Sequence, residues 1–229
     1  MQINLLKRII TSIVLLSILL FINFSHDLIF ISSILLVGTI VCFEANNIFS
    51  KLITSNVSRK ETSTKKINFK FLLFNIITFF YIFFIFCHFS YEIHKIQGSI
   101  FFIYLISICF FTDIGGYMLG KTIGGKKLTK ISPNKTISGT FGSFVFSIIP
   151  LLLFSNTEYL NIDLSFNNII FCLLISLISQ IGDLFISYLK RKAKIKDTGK
   201  ILPGHGGLLD RIDGIIFAVP FCYLLIKLF

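Results

Sequence analysis

The sequence predicts an all-α, polytopic membrane protein of about seven transmembrane helices with a polar site facing the cytoplasm. Three observations carry that fold class. Apolar residues make up 54% of the 229-residue chain, 28 residues are Phe, and mean hydropathy is +0.84. A soluble domain of this size has no means of hiding so much apolar surface from water. The apolar residues also fall in runs comparable to the roughly 17–25 residues that a spanning helix needs. Finally, the basic residues fall between those runs, and nearly all on one side.

The runs lie at about 5–24, 27–49, 71–90, 99–118, 139–154, 169–189 and 214–229, the fifth and seventh being short for a span. Lys7 and Arg8 precede the first run. No small-residue cleavage site follows and further spans do, so the first run reads as an anchor helix and not as a signal peptide. With seven spans, the N-terminus and the 50–70, 119–138 and 190–213 loops share one side and hold 20 of the 22 Lys and Arg residues, leaving Lys95 and Lys227. The positive-inside rule makes that side cytoplasmic. Topology therefore explains most of the formal charge of +11 without a nucleic-acid partner. Cys42, Cys87, Cys109, Cys172 and Cys222 lie in or beside apolar runs and form no CxxC pair. They read as small hydrophobic residues.

The fourth run ends in "GGYMLGKT", Gly115 to Thr122, which formally matches a P-loop. That pattern works only where a strand leads into the loop and a helix follows. Here a spanning helix leads in, so the P-loop reading is set aside.

Acids inside a bilayer are expensive, roughly 2.5–3.5 kcal/mol at a helix centre, and therefore informative. Asp113 in "FFTDIGGY" and Asp183 in "SQIGDLFISYLKR" lie near the cytoplasmic ends of their runs. Glu44 lies in the second run with nothing around it that resembles a site, and it reads as an interfacial acid. Asp210 and Asp213 are three apart at the start of the last run, a spacing that puts both on one helix face. The stretch "KDTGKILPGHGGLLDRID", residues 196–213, adds lysines, His205 and glycines. A hard cation such as Mg²⁺ takes carboxylate and phosphate oxygens. Lys and Arg hold phosphates, and glycine-rich loops offer backbone N–H groups to anions. The residues thus point to a metal–phosphate site for phosphoryl or nucleotidyl transfer onto an amphiphile.

The segment "SYLKRKAKIKDTGKILPGHGGLLDRID", Ser187 to Asp213, resembles the signature of phosphatidate cytidylyltransferases, also called CDP-diacylglycerol synthases, at every fixed position. "TDIGGYMLGKTIGGKKLTKISPNKTISG" is similar to that family's second block, with Ser138 where the family usually has Glu, and with Ile114 and Lys121 in place of Thr and Arg. The resemblance implies transfer of a cytidylyl group from CTP to phosphatidate, giving CDP-diacylglycerol and pyrophosphate for phospholipid biosynthesis, with Mg²⁺ as cofactor, one ion or two. It implies Asp183, Asp210 and Asp213 as metal ligands. It nominates Asp183, Lys190, Arg191, Lys196, Asp197, His205 and Arg211 for catalysis, and Asp113, Lys135, Thr136, Ser187, Gly206 and Gly207 for substrate binding. Residues 1–98 would then carry three helices and a basic loop, and residues 99–229 the catalytic membrane region with both blocks. Expected partners are CTP, phosphatidate and membrane lipid, with a second copy of the chain as a further candidate. The expected location is the cell (inner) membrane.

Two other readings compete. A transporter would use Asp113 and Asp183 as an ion relay, but the Ser187–Asp213 block has no use there. A CDP-alcohol phosphotransferase would share the D-x-x-D-G match at Asp210–Gly214 but needs further residues that are missing downstream.

Overall fold

Hydropathy dictates helices, because a chain in hydrocarbon must satisfy its backbone groups internally. The computed structural model describes residues 2–56, 64–129, 132, 135–155, 157, 160, 162–202 and 206–228. Among these the regular elements are helical: α1 Gln2–Phe24, α2 Asp27–Asn56, α3 Thr64–Phe80, a π-helical turn Tyr81–Cys87, α4 His88–Thr122, α5 Ile137–Phe146, α6 Ile149–Phe154, α7 Phe166–Lys192, α8 Leu209–Ile212 and α9 Ile215–Leu228. The seven expected runs are all present. The third continues through the π turn into α4, where Gly98, at φ 85° and ψ 170°, separates it from the fourth. The stretch 91–98 between the third and fourth runs is thus mostly helix, interrupted at one glycine that tolerates this φ. The fifth run is split into α5 and α6, and Pro150 stands at the start of α6, where its missing N–H has no partner to lose. Among the described residues, four helical stretches are long and apolar enough to cross a membrane, Asp27–Ile53, Phe69–Thr122, Ile137–Phe154 and Phe166–Lys192, with Ile10–Phe24 and Ile215–Leu228 as shorter apolar helices. Large apolar side chains such as Phe21, Phe43, Leu72, Phe84 and Phe141 are exposed on them. That pattern suits hydrocarbon as the surrounding solvent.

The chain divides into two compact units. The first joins Met1–Tyr91 to Leu189–Ile212. Within it α2 is central, packing on α1, α3, the π turn and α8. Phe49 of α2 stacks on Phe74 of α3, with ring centroids 3.6 Å apart.

The second unit joins Glu92–Tyr188 to Asp213–Phe229. Its core is built from Tyr104, Leu105, Ile108, Cys172, Ile175, Val219 and Cys222, all essentially inaccessible. The Tyr104 hydroxyl and Cys172 Sγ pair at 3.1 Å between α4 and α7. Small residues set the helix spacing. A Cβ at Gly142 would lie 2.6 Å from the Gly115 carbonyl oxygen, and one at Gly116 2.6 Å from Ser143 Oγ, so α4 and α5 cross nearly backbone to backbone. Gly182 of α7 likewise faces Phe217 of α9 and the Asp213 carbonyl.

Candidate active site

In the second unit, the α4–α5 crossing and α7 enclose a cleft of about 300 Å³. Asp113 and Gly116 line it from α4, Gly139 and Ser143 from α5, Thr136 from the cap of α5, Gln180 and Asp183 from α7, and Lys135 from the intervening loop. Both intramembrane acids singled out by their cost therefore face one cavity. The loop is fixed by backbone pairing. Leu128 N–H donates to the Lys135 carbonyl at 2.8 Å, and Ile137 N–H to the Lys126 carbonyl at 3.0 Å. Thr136, extended at φ −113° and ψ 160°, caps α5 by accepting the Gly139 N–H. An N-cap hydroxyl satisfies a donor that the helix leaves unpaired. Lys135 is thereby aimed at Asp183, and the two form an ion pair. Ser187, one turn further along α7, donates to Asp183 Oδ1 at 3.2 Å. Ser138, in the position where Glu was expected, donates to the Gly124 carbonyl and shares a 2.9 Å hydrogen bond with Thr136 Oγ1. It ties the loop to α5 without adding a charge. The P-loop look-alike Gly115–Thr122 is plain α4 helix.

In the first unit, the signature loop wraps around Asp210. Lys190 Nζ donates to Asp210 Oδ1 at 2.8 Å. Oδ2 accepts the Thr198 N–H at 2.8 Å, the Gly207 N–H at 3.1 Å and lies 3.1 Å from the Thr198 hydroxyl. The Asp210 side chain is 7% exposed. Burial raises its pKa, but the Lys190 hydrogen bond, the Thr198 N–H, the Lys190 charge and the Gly207 N–H together outweigh burial and hold the carboxyl below its ordinary value. Gly206, at φ 85°, lies against Asp197 and Asp210; it exchanges backbone hydrogen bonds with Leu202 at 2.9 and 3.2 Å. A side chain there would be strained and crowded.

Glu44 belongs to this network, and its reading as an interfacial acid is overturned. It is 1% exposed. Its carboxylate accepts the Thr198 hydroxyl at 2.8 Å, the Leu208 N–H at 3.0 Å and the Leu209 N–H at 2.8 Å. Thr198 was likewise not among the nominated residues. The one available signal was that Glu44 is a carboxylate in a membrane span, which is functional by default.

The remaining nominated residues are distributed as follows. Arg191, Lys196, Asp197 and Arg211 are exposed. His205 lies outside the described residues. Asp213 is buried at 9% exposure in the second unit, and its Oδ1 accepts the Gly214 N–H at 2.9 Å. Asp210 and Asp213 do not share a helix face, because α8 ends at Ile212 and α9 begins at Ile215. Among the described residues no group of three His, Cys, Asp or Glu side chains is placed to hold a metal ion. The donor chemistry nevertheless fits a hard cation in one respect: Asp183 and Asp210 each already hold a cationic ammonium. A divalent ion would draw the rest of its coordination from phosphate oxygens and water, as Mg²⁺ commonly does.

A transmembrane helical protein with a carboxylate–lysine cleft and a glycine-rich, basic loop is the class that fold and site define. The cytidylyltransferase family profile matches residues 45–229, and the chain belongs to that family. Over 145 residues it is 40% identical to the phosphatidate cytidylyltransferase of Bacillus subtilis (strain 168), covering 62% of this chain and 54% of that protein. It is 40% identical over 141 residues to the phosphatidate cytidylyltransferase of Staphylococcus aureus (strain COL), covering 60% and 53%. The protein of the same name from Brucella suis biovar 1 (strain 1330) is 40% identical over 123 residues, covering 53% and 45%. The chain thus spans about half the length of the curated relatives it matches.

Proposed function

We propose that the chain is a phosphatidate cytidylyltransferase, using CTP and phosphatidate to make CDP-diacylglycerol and pyrophosphate at the cytoplasmic face of the cell membrane. The observation that carries the reading is the organised signature loop, in which Lys190 and the backbone N–H groups of Thr198 and Gly207 are fixed on one buried carboxylate. The shared name of relatives at 40% identity supplies the substrate pair. In the reaction a phosphatidate oxygen attacks the α-phosphorus of CTP, the bond from that phosphorus to the bridging β-phosphate oxygen breaks, and pyrophosphate leaves. Catalysis of this type rests on positioning and on neutralising charge. Lys135 and Thr136 stand in the cleft as phosphate-holding groups, and exposed Arg191, Lys196 and Arg211 offer further cations. Asp183, Asp210 and Asp213 are each proposed as a carboxylate able to ligate Mg²⁺, with no shared cluster implied; when bound, the ion would neutralise phosphate charge. Pairing of Asp183 with Lys135 also favours this reading over an ion-relaying transporter, because an acid engaged by a fixed cation is poorly suited to pass ions on.

The test uses the purified full chain in lipid–detergent micelles with labelled CTP and phosphatidate. CDP-diacylglycerol and pyrophosphate should appear in equal amounts, with dCTP accepted more slowly and ATP refused. Equal turnover of ATP, or no lipid nucleotide at all, would overturn the assignment.

A further inference from the structure

We infer that Glu44 is a positioning residue of the reaction: from within α2 it fixes the loop that carries Thr198, Gly207, Leu209 and Asp210, and through that loop it sets the nucleotide site. The inference rests on the proposed activity for its kinetic part and on geometry alone for the rest. Glu44 lies one residue before the family match begins at residue 45, so it stands outside both motif blocks.

The geometry is specific. A carboxylate in a membrane span is stabilised only if its lone pairs are met, and Glu44 meets three donors, all from the loop. Leu208 and Leu209 N–H belong to the start of α8, the short turn that presents Asp210 and Arg211. The third donor, the Thr198 hydroxyl, has one proton and two carboxylate oxygens in reach, Glu44 at 2.8 Å and Asp210 at 3.1 Å. The shorter distance assigns the proton to Glu44. Asp210 is then left with Lys190 and two backbone N–H groups as its donors. Glycines allow the approach. A Cβ on Gly207 would strike Thr198 Oγ1 and lie 2.7 Å from Glu44 Oε1, and one on Gly199 would meet the same carboxylate. The loop is moulded around a carboxylate at this position.

Glu44→Gln is nearly isosteric but offers an amide NH₂ to at least one of three donors, so one contact becomes donor against donor. Thr198→Val keeps the shape and removes the hydroxyl, whereas Thr198→Ser keeps the hydroxyl. Two measurements on the full chain read the outcome. The first is the rate of trypsin cleavage after Lys196 and Lys200, which needs no activity. The second is the KM for CTP beside the KM for phosphatidate. Glu44→Gln and Thr198→Val should each speed cleavage at least fivefold and raise the KM for CTP at least fivefold with little change for phosphatidate, while Thr198→Ser should behave as the unaltered chain. A purely stabilising Glu44 would lower the active fraction and leave both KM values alone. That result, or unaltered trypsin protection in Glu44→Gln, would overturn the inference. If Glu44→Gln fails to fold, the contrast between Thr198→Val and Thr198→Ser decides by the same readouts. If the unaltered chain makes no lipid nucleotide, the proposed activity falls and the trypsin rates alone decide the role of Glu44.

Discussion

Asp210 and Asp183 are both carboxylates facing a lysine, yet they differ in exposure: Asp210 is 7% exposed and Asp183 24%. Removing the partner of the more buried acid should matter more to the fold. Lys190→Met is expected to destabilise the chain by about 3 kcal/mol, since it leaves a buried carboxylate without its cation, read as a lowered thermal midpoint in detergent. The sign of the pH effect follows from the depressed pKa of Asp210. A carboxyl held below its unfolded value contributes stability above roughly pH 4, and that contribution is lost as the pH falls through the folded value. The midpoint should therefore drop below about pH 4, and Lys190→Met should flatten part of that drop. At Asp183 the expectation is kinetic. Asp183→Asn keeps the volume, and should leave the chain folded while lowering CDP-diacylglycerol formation by roughly 100-fold, the scale seen when a charge-stabilising group is removed. Turnover near that of the unaltered chain would reduce Asp183 to a structural hydrogen-bonder. What the sequence made legible at this scale was whatever is locally anomalous: Asp113 and Asp183 announced themselves as acids among apolar residues. Glu44 was equally anomalous, but its meaning lay in donors 154 to 165 residues away, which no local pattern contains.

Helix boundaries show the same division between local and distant information. Seven apolar runs became seven helical stretches because hydrophobic length is a local quantity. The shared face of Asp210 and Asp213 failed because the turn at Asp213 and Gly214 interrupts the helix; Gly214 lies against Ser179 of α7, a contact made only in the folded chain. The end of α7 offers a test of backbone physics. Ile195 N–H bonds the Lys190 carbonyl at 3.0 Å, and Lys194 takes φ 56°, the left-handed residue that usually closes such a helix as glycine. Lys194→Gly should stabilise the chain by roughly 1 kcal/mol, seen as a raised thermal midpoint. The α4–α5 crossing gives the opposite sign. Gly142→Ala drives a methyl group toward the Gly115 carbonyl and Leu119. It should destabilise by about 1–3 kcal/mol and also lower activity, because the same crossing forms one wall of the cleft.

At the level of the whole molecule, the charge asymmetry predicts sidedness. With 20 of 22 basic residues in one set of segments, single cysteines at positions 60 and 200 should resist an impermeant thiol reagent in sealed cells and react once the cells are opened. Labelling of either from outside would end the seven-span topology. The first unit is assembled from two stretches of chain, Met1–Tyr91 and Leu189–Ile212, and that has a consequence in time. Glu44 leaves the ribosome 154 residues before Thr198, which at 5–20 residues per second is a delay of roughly 8–30 s. During that interval α2 must enter the bilayer with a carboxylate whose eventual donors have not yet been made, against an insertion penalty of roughly 2.5–3.5 kcal/mol for a central acid. The sign of a substitution at this position should therefore reverse with chain length. Glu44→Leu should improve the insertion of nascent chains halted before residue 189 and harm the finished protein.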